Sequence, residues 1–139
     1  MSHLLKNVQI IDKNSTFHLE HRDILIENGV IQNISKAIPV KDHKVIEGDD
    51  LSVSIGFADL NCHIYQPGFE YREDMKSGLS AAVNGGFTTV SIMPNTEPVI
   101  DTKGQVAYLK SLAFNNIVDV IPVGAISKDC KGKDLAEIY

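Results

Sequence analysis

The feature that most constrains this chain is an alternation of strand and helix patterns through its second part. Apolar runs rich in β-branched residues at 56–64, 87–93 and 117–123 favour strands. Helical patterns separate them at residues 70–84 and 102–114. Because no hairpin turn joins the three strands, the pattern predicts parallel strands connected by right-handed helical crossovers.

Local signals mark where these helices begin and end. Gly85 and Gly86 follow the first helical pattern, as glycine often does just past a helix end. Thr102 and Gln105 have the spacing of a capping box at the start of the second. A third helical pattern is expected from Asp134. A closed (β/α)8 barrel takes about 250 residues, so this chain of 139 residues predicts only part of one.

The first part of the chain has short apolar runs separated by turn residues. The pair Asn28-Gly29 lies between two such runs, which is a strong signal for a β-hairpin. Further strands are expected at residues 4–11, 44–47 and 51–54. Together these elements predict a small antiparallel β-layer.

The predicted fold class is therefore α/β. We interpret residues 1–54 as a segment of a small β-sandwich and residues 55–139 as the first three strand–helix units of an incomplete (β/α)8 TIM barrel. Three parallel strands flanked by helices are expected to be part of a larger sheet, because parallel sheets are buried on both faces. The chain is accordingly expected to be the N-terminal third of a longer polypeptide.

Composition excludes several classes of function. With 13 basic and 18 acidic side chains, the formal charge is −5, which argues against a surface for nucleic acid or anionic lipid. The longest stretch without charge, residues 77–96, is interrupted by glycine and proline, so no membrane helix is expected. The start of the chain lacks an apolar stretch long enough for a secretory signal, and a cytoplasmic location is expected.

Three strings within and after the predicted first strand carry a family resemblance. They read GFADLNCHIYQPGFEYRED at residues 56–74, GGFTTV at 85–90 and MPNTEP at 93–98. On these strings the chain resembles the dihydroorotase family of the amidohydrolase superfamily. Residues 123–128, VGAISK, are similar to the end of that family's third barrel strand.

The resemblance implies a metal-dependent hydrolase of pyrimidine biosynthesis, which interconverts carbamoyl aspartate and the cyclic amide dihydroorotate. In the family, the first strand ends in Asp-x-His-x-His, and both histidines bind zinc. Residues two apart on a strand share a face, so both imidazoles point into the barrel mouth. Zinc there lowers the pKa of a bound water and polarises the amide carbonyl. An arginine two residues beyond the second histidine and the asparagine of Met-Pro-Asn-Thr hold the substrate carboxylate.

The sequence departs from this motif at two positions. Asn61 stands at the first histidine and Tyr65 at the arginine, whereas His63 and Asn95 match the second histidine and the substrate asparagine. A neutral amide is a poor zinc ligand beside imidazole or carboxylate. A phenol cannot make the charged bidentate contact that arginine makes with a carboxylate. The two changes together favour impaired or absent catalysis.

Each candidate residue also has a structural interpretation. His63 is either a residual zinc ligand or a strand-end histidine satisfied by hydrogen bonds, and Asn61 is then a polar residue of the barrel mouth. Asn95 either contacts substrate or only forms a turn. Asp59, expected on the face of Asn61 and His63, supports a metal ligand or is hydrogen-bonded near the barrel floor. Cys62 is expected to point the other way and pack beneath the helices.

Three functional hypotheses follow. The favoured one is a dihydroorotase-like protein with impaired catalysis, and silent members of the family suggest a structural role beside aspartate carbamoyltransferase. The second is an active metal-dependent cyclic amidohydrolase that acts on another substrate with ligands from later strands. The third is a folding fragment whose unpaired strand edge would promote a homo-oligomer. Three carboxylates are expected in the first turn of a helix: Glu70, Glu73 and Asp74. The positive end of the helix dipole stabilises negative charge there, so we interpret them as structural and not as catalytic residues.

Overall fold

A computed structural model describes residues 2–137 of the chain. Contacts divide the chain into two compact units, residues 1–55 and 56–139. The first unit holds β1 (Ser2–Ile11), β2 (His21–Glu27), β3 (Val30–Ser35), β4 (Lys44–Ile46) and β5 (Ser52–Ser54). The second holds β6 (Phe57–Cys62), α1 (Met75–Asn84), β7 (Phe87–Ile92), α2 (Lys103–Leu112) and β8 (Asp119–Pro122).

The first unit is one mixed sheet of five strands, ordered β3-β2-β1-β4 with β5 also paired to β1. The predicted hairpin at Asn28-Gly29 is confirmed: both residues have positive φ, 52° and 78°, as a type I′ turn requires. The prediction of a wholly antiparallel layer is wrong, because β4 and β5 run parallel to β1. Residues 36–43 carry the chain back to the starting end of β1 without a hairpin, so β4 runs in the same direction as β1.

A buried carboxylate organises an irregularity in this sheet. The register of β1 against β2 shifts between Leu5 and Val8. At that point Asp23, which is 2% exposed, accepts hydrogen bonds from the backbone N of Asn7 (2.9 Å) and of Ile38 (2.8 Å). Lys6 Nζ donates at 2.5 Å to Asp23 Oδ2, the same oxygen that accepts from Ile38 N, whereas Asn7 N binds Oδ1. Burial raises the pKa of Asp23, but the hydrogen bonds from Lys6, Ile38 and Asn7 outweigh it and hold this pKa below the usual range.

The second unit confirms the predicted alternation of parallel strands and helices. Its three strands are ordered β6-β7-β8, and every pair is parallel. The helix α1 connects β6 to β7, and α2 connects β7 to β8. Helices and strands share one core of buried side chains: Ile64, Met75, Leu79, Val90, Ile92, Ile100, Leu109, Val118 and Val120.

The helix ends differ from prediction mainly at the start of α1, and α2 ends at Leu112, two residues earlier than predicted. The capping box of α2 is confirmed, since the Thr102 side chain accepts from Gln105 N and the Gln105 side chain accepts from Thr102 N. However, α1 begins at Met75, five residues later than predicted, with Asp74 as its N-cap. Glu70 and Glu73 therefore precede the helix instead of occupying its first turn. The physical reason is that the backbone before Asp74 forms turns instead of helix, with hydrogen bonds from Phe69 N to Tyr65 O and from Arg72 N to Phe69 O.

The helix predicted from Asp134 is also wrong for the residues that the structure describes. Leu135 forms an isolated antiparallel bridge with Ser127, and residues up to Glu137 are not helical. A single 3-10 turn at Lys128–Cys130 precedes them. Residues 138–139 of that prediction lie outside the described residues. Neither α1 nor α2 combines the length and the apolar character that crossing a lipid bilayer takes.

Candidate functional site

The retained histidine and asparagine meet at the carboxyl ends of neighbouring strands. His63 directly follows β6 and Asn95 lies three residues beyond β7, and both are exposed. His63 Nδ1 lies 3.1 Å from Asn95 Oδ1. Since an amide oxygen only accepts, the proton of this hydrogen bond is on Nδ1, and in the neutral ring Nε2 is then an acceptor. The structure therefore brings these two predicted site residues into direct contact.

Tyr65 extends this pair. Its ring stacks on the ring of His63, with 6.4 Å between centroids and an interplanar angle of 27°. Tyr65 is half-buried, whereas His63 is exposed. A side chain at position 65 thus lies beside the imidazole, which is where a clamp on a ligand carboxylate would be useful, but it presents an aromatic face instead of a cation.

Sequence reasoning missed Arg72, which supplies a cation next to this tyrosine. The guanidinium carbon of Arg72 lies 5.2 Å from the ring centroid of Tyr65, 5.6 Å from that of Phe69 and 5.5 Å from that of Tyr71. Its Nε also donates to the Tyr71 hydroxyl at 3.2 Å. The signal in the sequence was the spacing of three aromatic residues around one of only two arginines.

A bulge in β6 overturns the expected position of Asp59. Asp59 pairs with Val90 and Cys62 pairs with Ile92, so three steps on β6 match two steps on β7. The extra residue puts Asp59 and Cys62 on one face, and both line a cavity of about 250 Å³ against α1. Asp59 therefore does not share the face of His63. Its Oδ1 accepts a hydrogen bond from Asn61 N at 2.9 Å, which stabilises the bulge.

The Cys62 side chain packs against the core below the helices, as predicted. Burial raises the pKa of the Cys62 thiol, and the negative charges of Asp59 and Glu73 raise it further. Such a thiol is a poor nucleophile. Cys62 is thus a packing residue and not a catalytic one.

The donor atoms on β6 do not fit a metal site by themselves. Asn61 is exposed and offers only an amide, and Asp59 faces the helices, so His63 is the one strong donor on that side of the strand. Within residues 2–137, no three histidine, cysteine, aspartate or glutamate side chains are grouped as metal ligands. A catalytic zinc site takes three protein donors.

The loops that carry the site residues are packed against each other. Glu97 N donates to Pro67 O at 3.0 Å. Gly68 has a φ of +99°, and a β-carbon there would lie 2.2 Å from Glu97 O. Only glycine permits this approach, which fixes the loop after β6 against the loop after β7.

Comparison with known proteins adds an independent finding. The family described as dihydro-orotase-like matches residues 52–139. A dihydroorotase of Caldicellulosiruptor saccharolyticus is 44% identical over 97% of this chain and 32% of its own length. One of Aquifex aeolicus is 41% identical over 98% of this chain and 32% of its own length. The chain thus spans about a third of the length of these curated relatives.

Solved structures share the fold. An L-hydantoinase (dihydropyrimidinase) from Arthrobacter aurescens superposes with a TM-score of 0.73 at 24% identity, over 90% of this chain and 28% of that one. A dihydroorotase crystal structure superposes with a TM-score of 0.64 at 16% identity, over 92% of this chain and 32% of that one. At these identities the likeness concerns the fold alone.

Proposed function

This chain belongs to the dihydro-orotase-like family, and we propose on that basis that it forms the first three strands of a (β/α)8 barrel with the two helices between them. The function proposed is that of a dihydroorotase-like protein of pyrimidine biosynthesis whose cyclic-amide hydrolysis is impaired. The family supports the reaction class, and the parallel order β6-β7-β8 with intervening helices supports the architecture. Residues 1–54 correspond in this proposal to a segment of a small β-sandwich.

The observation that carries the proposed impairment is the donor set at the end of β6. Position 61 holds an amide, and the nearest carboxylate on the strand, Asp59, lines the cavity beneath α1. His63 already donates from Nδ1 to Asn95, so only Nε2 is available as a ligand. One imidazole nitrogen falls short of the three protein ligands that a catalytic zinc site takes. The residues of this chain therefore do not hold the zinc of the family by themselves.

Tyr65 supports the same proposal from the substrate side. A phenol hydroxyl makes one neutral hydrogen bond, whereas an arginine at this position would make two charged ones to a carboxylate. Stacking on His63 also holds the Tyr65 ring face-on to the imidazole. Position 65 therefore binds a carboxylate weakly, in addition to the loss of a ligand at Asn61.

The decisive experiment measures dihydroorotate hydrolysis by the full-length protein supplied with zinc. We expect no turnover. Rates of about 1–1,000 s⁻¹, which are ordinary for enzymes, would overturn the proposal. The double variant Asn61→His/Tyr65→Arg is expected to bind zinc more tightly than the wild type. Asn84→His, on an exposed position at the end of α1, is the matched control and is expected to leave zinc affinity unchanged.

The alternative of an active amidohydrolase with another substrate depends on His63, which is exposed and keeps a ring nitrogen free for a ligand. That alternative requires stoichiometric zinc that is lost in His63→Ala. Metal analysis of the two purified full-length proteins separates it from the impaired protein, for which zinc content is low and insensitive to the substitution.

The proposed non-catalytic role is that of a structural partner of aspartate carbamoyltransferase. Its support is the combination of a strand–helix scaffold with an amide at Asn61 and a phenol at Tyr65, where the family motif has histidine and arginine. Co-sedimentation of the two purified full-length proteins tests this role, and independent sedimentation at micromolar concentrations would exclude it.

A further inference from the structure

The two arginines of this chain are held in different ways. Arg22 lies over the Phe17 ring, with its guanidinium carbon 5.3 Å from the centroid, and is ion-paired with Glu20. Arg72 lies over three rings, but none of the ion pairs within residues 2–137 includes it. Its neighbour Glu70 instead accepts hydrogen bonds from Gly68 N at 3.0 and 3.1 Å. The charge of Arg72 is therefore uncompensated by the described carboxylates.

The aromatic side chains fix where this charge lies. Tyr65, Phe69 and Tyr71 each place a ring 5.2–5.6 Å from the guanidinium carbon. Stacking on aromatic faces stabilises a cation and limits the rotamers of its long side chain. A guanidinium held in this way loses less conformational entropy when it binds an anion, which favours binding.

Contacts through Tyr65 connect Arg72 to the His63–Asn95 pair at the strand ends. Tyr65 contacts Arg72 and also stacks on His63, which is hydrogen-bonded to Asn95. A continuous series of contacts thus connects Arg72 to the carboxyl ends of β6 and β7. In barrel proteins ligands bind at this end of the strands.

We propose that Arg72, held on the rings of Tyr65, Phe69 and Tyr71, binds the carboxylate of a small ligand at the carboxyl ends of β6 and β7. A guanidinium matches a carboxylate with two parallel charged hydrogen bonds. A singly charged group is favoured over a doubly charged phosphate, because the formal charge of −5 on the chain repels a dianion more strongly. This assignment deepens the proposed function and rests on it for the identity of the ligand as a carboxylated cyclic amide.

The test is calorimetric titration of the full-length protein with dihydroorotate, with succinate, with inorganic phosphate and with dihydrouracil, which lacks the carboxylate. We expect Arg72→Gln to weaken dihydroorotate binding about 10- to 100-fold, since a hydrogen bond to a charged group is lost. Dihydrouracil affinity is expected to stay unchanged. Arg72→Lys, which keeps the charge but not the fork, is expected to restore part of the affinity.

Arg22→Gln is the matched control, because it removes the same charge from an arginine that also lies over an aromatic ring. It is expected to leave all four affinities unchanged. An equal loss of dihydroorotate and dihydrouracil affinity in Arg72→Gln would show a structural role and overturn the assignment. An unchanged dihydroorotate affinity, or tighter binding of phosphate than of either carboxylate, would overturn it as well.

The same titrations separate this assignment from the proposed function. A wild type that binds carboxylates through Arg72 but also hydrolyses dihydroorotate during the titration contradicts the proposed impairment and leaves the carboxylate assignment intact. A wild type that binds no carboxylate contradicts the assignment. Circular dichroism of each variant shows whether a loss of binding reflects a loss of fold.

Discussion

Gly78 of α1 packs directly against Ile64, the residue that follows His63 in the chain. A β-carbon at position 78 would lie 2.8 Å from Ile64 Cδ1 and 2.9 Å from its Cγ1. Ile64 is only 2% exposed, so a β-carbon at position 78 would displace a buried side chain. The close approach of α1 therefore fixes the backbone beneath the His63–Asn95 pair.

We expect Gly78→Ala to lower the free energy of unfolding by up to about 2 kcal/mol. Overpacking a buried contact costs about 1–3 kcal/mol, and the higher helix propensity of alanine offsets about 1 kcal/mol of it. Gly104→Ala in α2 is the matched control, because the nearest atom to its β-carbon is Thr102 Oγ1 at 4.0 Å. Urea denaturation should show a gain in stability for this control. Equal gains in both variants would contradict tight packing at Gly78.

The contact between the two site loops gives a second prediction, for Gly68→Ala. The new β-carbon would meet Glu97 O, and the left-handed φ of +99° is unfavourable for alanine. We expect a loss of roughly 1–3 kcal/mol and faster proteolysis of the loop after β6. Gly132→Ala also has a positive φ, 69°, but meets nothing within 4 Å. A larger loss of stability in Gly68→Ala than in Gly132→Ala gives the cost of the clash with Glu97 O. Equal losses in the two variants would show that this clash contributes nothing.

A third prediction concerns Asp23 and pH. Its folded-state pKa lies below the unfolded value of about 3.9. The stability it contributes is therefore present above pH ~4 and is lost as the pH falls through the folded-state pKa. Asp23→Asn should lower the free energy of unfolding at pH 7 by about 1–3 kcal/mol, since an amide leaves one of the buried donors unpaired. The loss should shrink as the pH is lowered.

Asp42→Asn, at an exposed carboxylate of the same unit, serves as the control for this pH series. It should reproduce the wild-type dependence of stability on pH between 2 and 7. If the wild type and Asp23→Asn lost stability in parallel over that range, the assigned role of Asp23 would be wrong.

Local signals in the sequence were sufficient where neighbouring residues determine the backbone conformation. Asn28-Gly29 and the Thr102–Gln105 capping box each act over a few residues, and the structure confirms both. The alternation of apolar runs likewise determines that β6, β7 and β8 are parallel. These features follow from turn geometry, capping and burial, all of which a sequence displays.

The rest depends on contacts between distant residues. Period-two alternation placed Asp59 on the face of His63, but the bulge against β7 reverses it. The helix α1 begins at Met75 and not at residue 70 as predicted, because Gln66 Oε1 accepts from Met75 N at 2.8 Å and Asp74 caps the helix. The role proposed for Arg72 could not be predicted, because it depends on how the loop between β6 and α1 places three aromatic rings around the guanidinium.

The bulge itself is testable through the reactivity of Cys62. Burial and the charges of Asp59 and Glu73 raise the pKa of this thiol, so it should be alkylated by iodoacetamide more slowly than the exposed Cys130. Asp59→Asn removes one of the two charges, so it should lower the pKa of the Cys62 thiol and speed its alkylation near neutral pH. Glu73→Gln should act in the same direction, and Asp119→Asn, at an exposed position of β8, should have no effect. If Asp59 faced His63 instead, its substitution would leave Cys62 unchanged while Glu73→Gln still accelerated the reaction, and peptide mass spectrometry of the labelled protein distinguishes the two results.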